Sequence, residues 1–482
     1  MSMTDDNQLQ KIIAHAKEYG FIFQSSEIYD GLSAVYDYGP YGSELKKNIR
    51  DYWWKSMTQM HNNIVGIDAA IFMQPTTWKA SGHLANFSDP LIDNKDSKKR
   101  YRVDHLIEQF AEKLEKNNEH EEARTLLHEM EELLKQDDFD GLKTLIEKNK
   151  ITCPISGTAN WTPIRQFNLM FSTQLGSVSD EANEIYLRPE TAQGIFVNFL
   201  NVQKSARMKI PFGIAQTGKA FRNEIVARQF IFRMREFEQM EMQFFIQPGT
   251  QKEWYEYWKK ERLQWHLSLG IEATKYRFHD HVKLAHYADA AVDIEYDFPF
   301  GFKEVEGIHS RTDFDLSNHQ KFSNKKLTYF DPELNKHYIP YVIETSIGLD
   351  RMCLLILSHS YEEEILKKED DSVDTRTVMH IPPFIAPIKL AILPLTKKDG
   401  LPEIARDIFD TCKQEFRCFY EEKDTIGKRY RRQDAIGTPF CITIDHQSKE
   451  DQMVTLRYRD SMKQERIPIS SITQIIQNYL RV

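Results

Sequence analysis

Arginines, carboxylates and an aromatic ring recur at alternate positions of residues 221–241, FRNEIVARQFIFRMREFEQME. Two strand-like runs here are joined by residues that can turn. Because side chains alternate along a strand, six of them are predicted to share one face of a hairpin: Arg222 and Glu224 on the first arm, and Arg233, Arg235, Phe237 and Glu241 on the second. Charged groups crowded on one face form either a structural salt-bridge ladder or a site for a flat, charged ligand.

The chemistry that ATP demands favours the ligand over the ladder. Guanidinium forks suit an α-phosphate and a γ-phosphate, and an aromatic ring stacks on adenine. A different nucleotide motif, GIAQTGKA at 213–220, resembles a phosphate-binding loop, but Ala220 stands where a Mg²⁺-binding hydroxyl is required. Strand-like sequence follows it instead of a helix, so we set this motif aside.

Several elements must position these residues. Residues 43–57 (SELKKNIRDYWWKSM) predict a helix, followed by a strand over 65–73 (VGIDAAIFM) that stops before Pro75. Strand formers dominate three further stretches and predict a largely antiparallel sheet, and an intervening segment has a helical period that ends at Gly270. The stretches are 185–245, 291–306 and 338–345, and the helical segment is 252–270.

The chain divides into three predicted units. Residues 93–150 are highly charged, with apolar positions at helical spacing, and predict a helical insertion within a core of residues 1–375. The proline-rich segment HIPPFIAP at 380–387 predicts a boundary, after which strands and helices alternate as in a small α/β domain over 385–482. The predicted fold is an α+β core with an antiparallel sheet and a helical insertion, plus a C-terminal α/β domain.

Composition limits the class of protein. The 482 residues carry a formal charge of −9, which argues against a general nucleic-acid binder, although the segment 385–482 has 17 basic against 14 acidic residues. No run approaches the roughly 18 apolar residues needed to cross a bilayer, and the start of the chain is acidic and polar. Five scattered cysteines do not suit a disulfide framework. We therefore expect a cytoplasmic protein without a membrane segment.

Three ordered motifs resemble those of the class II aminoacyl-tRNA synthetases. The 221–241 hairpin resembles their motif 2, the helix and strand ending at Pro75 their motif 1, and YVIETSIGLDRMCLLIL at 341–357, with Arg351, their motif 3. Further strings resemble glycyl-tRNA synthetases of the dimeric type, and together they extend over essentially the whole chain. They are YDYGP (36–40), WKASGH (78–83), RPETAQGIF (188–196), REFEQME (235–241), RTDFDL (311–316) and IGKRYRRQDAIGTPF (426–440).

The resemblance implies an ATP site. It assigns Arg222 to the α-phosphate, Arg233 to the γ-phosphate, Glu224 to the adenine amino group, and Phe237 and Arg351 to the two faces of adenine. It makes Arg222, Arg233 and Arg351 the catalytic residues. Four further residues should lie close to the nucleotide: Asn223, Phe232, Val305 and Gly348. Glu304 is expected to hold Mg²⁺ or its waters, with a plain surface glutamate as the alternative.

A glycine site must grip an ammonium and a carboxylate while leaving no room for a side chain. The resemblance assigns this to acidic residues and a hydroxyl: Glu190, Glu241, Glu344 and Ser346. Three carboxylates repel one another unless a cation arrives, which favours a binding role. Arg102 is expected to reach the substrate from the insertion and Arg311 to lie near the nucleotide, although surface salt bridges would explain either arginine.

The implied activity is ligation of glycine to tRNA(Gly) through glycyl-adenylate by a homodimer that uses ATP with Mg²⁺. The alternatives are a synthetase-like RNA-binding paralogue without catalysis and a class II synthetase for another amino acid. Trp53 and Trp54 are suggested dimer anchors, although a monomer core would also bury them. The basic residues Lys428, Arg429, Arg431 and Arg432 are expected to hold the anticodon arm, or else to form a solvated loop.

One departure from the family concerns zinc. Members often carry a knuckle of two CxxC pairs, whereas the corresponding segments here, DNKDSKKR (93–100) and CPISG (153–157), retain only Cys153. One thiolate cannot make a tetrahedral zinc site, so we expect no structural zinc. His83, His105 and His309 remain conceivable ligands, but lone histidines are more often hydrogen-bonded.

Overall fold

The structure is a computed structural model and describes residues 3–176, 183–224, 229–281, 284, 288–367 and 373–481. The N-terminal elements are α1 Met3–Glu18, β1 Ile22–Gln24, β2 Tyr36–Tyr38, α2 Pro40–Thr58, β3 Ile64–Gly66, β4 Phe72–Met73, α3 Pro75–Ala80 and α4 His83–Asn86. Helix α2 contains the predicted 43–57 helix. Its buried residues Leu45, Ile49, Trp53 and Met57 recur every fourth position and pack into the main core.

The prediction of one strand over 65–73 is wrong. Strand β3 and strand β4 belong to different sheets, and the chain between them leaves the sheet plane. There the carbonyl of Ala69 accepts a hydrogen bond from Nη1 of Arg188 at 2.8 Å, a partner that no ladder would provide. Pro75 begins α3, where its missing N–H costs nothing.

The insertion has its own small core. Its elements are β5 Ser88–Asn94, β6 Lys99–Arg102, α5 Val103–Lys116, α6 His120–Lys135, α7 Phe139–Lys148 and β7 Arg165–Asn168. The three helices bury a cluster that includes Ile107, Leu126 and Leu142, separate from the main core. Residues 93–102 form a hairpin instead of the predicted helical stretch, because the regular helical spacing of apolar residues begins only at Val103.

The central part of the chain builds a seven-stranded sheet. This part of the chain contains β8 Ser172–Leu175, β9 Asn183–Leu187, α8 Ala192–Val197, α9 Phe199–Ser205, β10 Phe212–Phe221, β11 Glu236–Ile246, α10 Gln251–Leu267, β12 Tyr276–Asp280, β13 Ala290–Phe298, β14 Gly301–Thr312, α11 Phe314–Ser323, β15 Tyr329–Asp331, β16 Lys336–Tyr338, β17 Tyr341–Gly348, α12 Leu349–Ser360, β18 Tyr361–Lys367 and β19 Val373–Met379. The strand order is β12-β13-β14-β17-β11-β10-β3. Every neighbouring pair is antiparallel except β10 and β3, which confirms the expected sheet. The 213–220 segment lies inside β10 and forms no phosphate-binding loop.

The two faces of this sheet differ in character. One face buries apolar side chains such as Phe244, Ile308 and Ile343 against Trp258 of α10 and Leu354 of α12. The opposite face is apolar only where α8 and α9 cover it. Its open part carries polar residues from five adjacent strands, β13, β14, β17, β11 and β10, and this is where chemistry can occur.

The C-terminal domain is a five-stranded sheet with helices. Its elements are β20 Leu390–Pro394, α13 Leu401–Cys412, β21 Cys418–Tyr420, α14 Ile426–Ala435, β22 Phe440–Ile444, α15 Ser448–Asp451, β23 Met453–Tyr458, β24 Gln464–Pro468 and α16 Ile472–Leu480. The strand order is β21-β20-β22-β23-β24, around a separate apolar cluster. Among the described residues, no helix is both long and apolar enough to cross a membrane.

The basic cluster of this domain lies on α14. Arg429 is buried and donates to the carbonyls of Pro394 and Glu421 at 2.8 and 3.0 Å, so its expected contact with RNA is wrong. The guanidinium of Arg429 therefore forms its hydrogen bonds within the C-terminal domain. Arg431 pairs with Asp374 and Arg432 with Glu421, which leaves Lys428 as the exposed member of the four.

Candidate active site

Strand register gathers the site on the open polar face of the sheet. Glu241 of β11 lies opposite Ser346 of β17, which lies opposite Gly307 of β14. One step along, Gln243 lies opposite Glu344, which lies opposite His309. Because alternate residues share a face, these two rows place their side chains together.

A cavity of about 140 Å³ opens at one end of these rows. Nine of the predicted ATP-site and glycine-site residues line it: Arg222, Glu224, Phe232, Arg233, Phe237, Glu304, Ser346, Gly348 and Arg351. The sequence predicted this set from a hairpin, a strand and a helix that are far apart in the chain. The structure brings the set together.

Two arginines of this cavity, Arg222 and Arg233, make no close ion pair among the described residues. Arg222 donates Nε to the carbonyl of Pro189 at 3.0 Å and lies 5.2 Å from the centre of the Phe237 ring. Nη1 of Arg233 is 3.8 Å from Glu224, too far for a hydrogen bond. The turn between the two arms, 225–228, lies outside the described residues. Such loosely paired guanidinium groups favour the binding of an anionic ligand.

Arg351 lies above Phe232 and beside Glu304. Its guanidinium carbon is 4.4 Å from the centre of the Phe232 ring, and Nη1 is 2.9 Å from the Glu304 carboxylate. Arg351 lowers the pKa of Glu304 more than burial raises it, so this carboxyl is ionised near neutral pH. A half-exposed, ionised carboxylate at the rim of an arginine-lined cavity fits a Mg²⁺ ligand, since hard cations prefer such oxygens.

Three buried carboxylates form a second part of the site, next to Ser346. The side-chain amide of Gln243 donates to both Glu241 and Glu344, at 2.9 and 2.7 Å. The Thr191 hydroxyl donates to Glu241. Glu190 accepts from Gln193 at 2.9 Å. Glu241 and Glu344 are therefore joined by one neutral donor, and Glu190 is held by a separate amide.

The three carboxyls differ in charge state. Burial, together with Glu344 and Glu190, raises the pKa of Glu241 well above its ordinary value. Burial would also raise the pKa of Glu344, but Arg311 and His309 outweigh it and lower this pKa to about 2. His83, 3.4 Å away, is the main group that lowers the pKa of Glu190 against burial. Glu241 is thus the carboxyl that a cationic ligand would ionise.

Sequence reasoning missed the side chains that hold these carboxylates. Gln243, Thr191 and His83 were not expected there, and Arg311 was expected near the nucleotide. In the structure Arg311 donates to Asp315 and to Glu344 at 2.9 and 2.8 Å, and its expected place near the nucleotide stays a prediction. Gln243 could have been found, since it shares the strand face of Glu241.

Three predicted residues lie apart from both groups. Arg102 pairs with Asp89 and Asp104 and lines a neighbouring cavity with Arg233 and Lys303. The backbone N–H of Asn223 donates to Leu169, and the side chain of Val305 is buried in the main core. Their contacts with substrate stay predictions.

The positions that would hold zinc in the family are joined by hydrogen bonds. The thiol of Cys153 is 3.2 Å from the Ser97 hydroxyl, and the Ser156 hydroxyl donates to Asn94 at 3.0 Å. One thiol, two hydroxyls and an amide do not suit Zn²⁺, which prefers thiolate and imidazole ligands in such knuckles. No role for zinc is assigned to these residues.

Comparison with known proteins agrees with this geometry. The family model "tRNA synthetase class II core domain (G, H, P, S and T)" matches residues 171–360. "Glycyl-tRNA synthetase insertion domain 1" matches 89–125 and 117–169, and "Anticodon binding domain" matches 389–479. The prolyl-tRNA synthetase of Giardia lamblia, solved with prolyl-adenylate, shares the fold with a TM-score of 0.62 at 16% identity, over 99% of this chain and 79% of that chain. The fold is therefore that of a class II aminoacyl-tRNA synthetase.

Similarity to curated proteins identifies one family within the class II synthetases. The glycine–tRNA ligase of Chlorobaculum tepidum is 53% identical over 470 residues, which is 97% of this chain and 99% of the relative. That of Staphylococcus haemolyticus is 54% identical over 467 residues, 96% of this chain and 97% of the relative. The chain belongs to the glycine–tRNA ligase family.

Proposed function

We propose that the chain activates glycine with ATP, forming glycyl-adenylate and pyrophosphate, and then transfers the glycyl group to the 3′ end of tRNA(Gly). The observation that carries this proposal is the pairing of two environments. A cavity lined by the loosely paired Arg222 and Arg233 adjoins a carboxylate cluster in which Glu241, among the described residues, accepts only from the neutral donors Thr191 and Gln243. The first suits a nucleoside triphosphate and the second suits a small cation.

Glycine recognition follows from the cluster. The ammonium would bind among Glu241, Glu344 and Glu190, with the Ser346 hydroxyl at the border with the ATP cavity. An amino acid with a side chain would displace groups that already hydrogen-bond one another, such as Gln243, and leave them unpaired. This argument also favours glycine over other class II substrates.

Adenylate formation needs positioning and charge stabilisation more than acid–base groups. The glycine carboxylate attacks the α-phosphorus in line, with Arg222 on the α-phosphate and Arg233 on the γ-phosphate. Arg351 and Phe237 would hold adenine, and Glu224 its amino group. Mg²⁺ bound near Glu304 would supply charge neutralisation on the phosphates. A non-catalytic RNA-binding role would not require this complete set, so we do not propose it.

We assign tRNA binding to the C-terminal domain, with a catalytic core at 1–375, the insertion at 93–150 and the anticodon domain at 385–482. The match of 389–479 to an anticodon-binding family and the separate apolar cluster support this division. We place the reaction in the cytoplasm, where translation consumes charged tRNA. A chain truncated before residue 385 should still form glycyl-adenylate but charge tRNA poorly. Unchanged charging would contradict the assignment.

We also propose a homodimer, with a revised interface. Trp53 is fully buried inside its own chain and cannot anchor a partner. Exposed apolar side chains in the N-terminal part of the chain, Ile28, Tyr29 and Phe72, are proposed to contact a second copy instead. Light scattering at micromolar concentration should give twice the 56.8 kDa chain mass, and a monomer mass would contradict the dimer.

The direct test is glycine-dependent ATP–pyrophosphate exchange. Arg222→Ala should lower the exchange rate by about two orders of magnitude or more, because the guanidinium meets charge that develops in the transition state. Arg277→Ala is a matched control, since Arg277 lies on β12 of the same sheet and pairs with Glu295 at the surface. Near-normal exchange by a folded Arg222→Ala protein would refute the assignment.

A further inference from the structure

Two histidines and an aspartate meet at the edge of the carboxylate cluster. They are His281, which follows β12, Asp293 on β13 and His309 on β14. One ligand atom from each lies within 4.8 Å of the others, and Nε2 of His281 is 2.9 Å from Oδ2 of Asp293. All three side chains are half-buried, so they are held in place yet reachable from solvent.

The orientation of His309 suits a metal ligand. Its Nδ1 lies 2.7 Å from Oε1 of Glu344, and a carboxylate only accepts, so Nδ1 carries the proton. The neutral ring then presents the lone pair of Nε2 on its other side. A carboxylate that orients a histidine in this way is the usual support of metal-bound imidazoles.

Gly307 makes room on that side of the ring. A Cβ atom built at Gly307 would lie 3.1 Å from Cε1 of His309 and 3.6 Å from Oδ1 of Asp293. The missing side chain therefore leaves the space between these two residues open, where a side chain would crowd both. Ala291, opposite His309 in the sheet, is likewise small.

A second group of possible ligands, Glu362, Glu364 and His380, does not share these features. Arg376 already donates to Glu364 at 2.7 Å, and His380 pairs with Asp460 at 2.6 Å. The charged groups of this second group are therefore already paired, Glu364 within the core and His380 with Asp460 of the C-terminal domain. The imidazole and carboxylate groups of the first cluster have no arginine or lysine within ion-pair distance among the described residues.

We infer that His281, Asp293 and His309 bind one divalent transition-metal ion such as Zn²⁺, with water completing the coordination. Two imidazoles and one carboxylate with an open position suit Zn²⁺, Co²⁺ and Ni²⁺ better than Mg²⁺ or Ca²⁺. Because His309 also holds Glu344, the ion would add positive charge beside the glycine pocket. Resting on the proposed function, the site would make glycine binding sensitive to these metals.

The first experiment measures metal binding without using activity. Titration of the full chain with Co²⁺, followed by visible absorption, and calorimetric titration with Zn²⁺ should show one site per chain that His281→Gln weakens at least about tenfold. His279→Gln is the matched control, because His279 lies two residues away on the same side of β12 and outside the cluster. It should bind like the native chain.

The second experiment measures the effect on glycine. In pyrophosphate exchange with excess Mg²⁺ and buffered Zn²⁺, the KM for glycine should rise about fivefold or more with little change in kcat, and His281→Gln should abolish the rise. Equal Zn²⁺ binding by the native and His281→Gln chains would overturn the site. Binding without a KM effect would overturn the link to glycine. Absence of glycine activation under all conditions would overturn the proposed function, while the titrations would still decide the site.

Discussion

Two buried glutamates on opposite faces of the same sheet have opposite surroundings. Glu306 faces the main core, where Nε of Arg262 and Nε2 of His266 lie 2.6 and 2.8 Å from its carboxylate. These partners lower its pKa despite full burial. Glu241 faces the site with only Thr191 and Gln243 as donors among the described residues, and burial raises its pKa.

This difference separates a structural ion pair from a binding group. Where the fold supplies a cationic side chain, the buried carboxylate is paired inside the protein, and removal of either partner is destabilising. Where it supplies only neutral donors, the carboxylate stays costly until a ligand brings positive charge. The glycine ammonium would supply that charge at Glu241.

The largest expected effect breaks the structural pair. Glu306→Gln leaves the buried Arg262 without a counter-charge and should lower the free energy of unfolding by about 3–5 kcal/mol. Urea denaturation followed by tryptophan fluorescence would measure this loss, because Trp258 and Trp265 lie on α10, the helix that carries Arg262. Asp297→Asn removes a half-exposed pair with Lys275 and should cost less than about 1 kcal/mol. Equal losses of unfolding free energy in the two variants would contradict the distinction between a buried structural ion pair and a surface pair.

The next effect removes the uncompensated carboxylate. Glu241→Gln should lower glycine-dependent pyrophosphate exchange by about 30- to 100-fold, equivalent to about 2–3 kcal/mol of lost charge-assisted bonding. Its free energy of unfolding should stay level or rise, since glutamine removes a carboxyl that is held neutral in the fold and ionises on unfolding. A stability loss like that of Glu306→Gln would show that Glu241 is structural.

The two glutamates should also differ in pH dependence. The raised pKa of Glu241 means that its contribution to stability is largest below the unfolded value of about 4.5 and is lost as pH rises towards the folded pKa, by up to about 1.4 kcal/mol per pH unit. The lowered pKa of Glu306 gives the opposite sign, with stability lost as pH falls below about 4.5. Urea midpoints measured across pH for the native chain and Glu241→Gln test this.

Glycine binding provides a second readout of the same proton. An ammonium beside Glu241 lowers its pKa, so binding just above pH 4.5 should release a proton. Calorimetry in buffers of different ionisation enthalpy measures that release, and Glu241→Gln should not show it. Identical proton release by both proteins would place the titrating group elsewhere.

The smallest effect concerns the orientation of Glu344. His309→Ala removes a bond to this carboxylate and should raise the KM for glycine about threefold to tenfold, with kcat nearly unchanged. His309→Asn places an amide donor near the former Nδ1 and should restore much of the affinity. Equal KM values for the two variants would contradict a positioning role.

Local sequence patterns were sufficient for much of this protein. Alternation along 236–246 predicted a strand with Phe237 and Glu241 on one face, and helical spacing predicted α2, α5 and α10. These signals are local because strand and helix periods are properties of neighbouring residues. Local patterns failed for 65–73, where the carbonyl of Ala69 accepts a hydrogen bond from the side chain of Arg188, 119 residues away.

The sequence by itself determined which residue types carry the chemistry and which strand faces they occupy. Only the tertiary structure decided their partners: Gln243 reaches Glu344, 101 residues away, and Arg351 reaches Phe232, 119 residues away. Such contacts depend on strand order and register, which arise from packing the whole sheet and not from any local period. For the same reason the sequence named three acidic residues, whereas the fold decided that Arg311 and His309 donate to Glu344 and that Glu241, among the described residues, has only neutral donors.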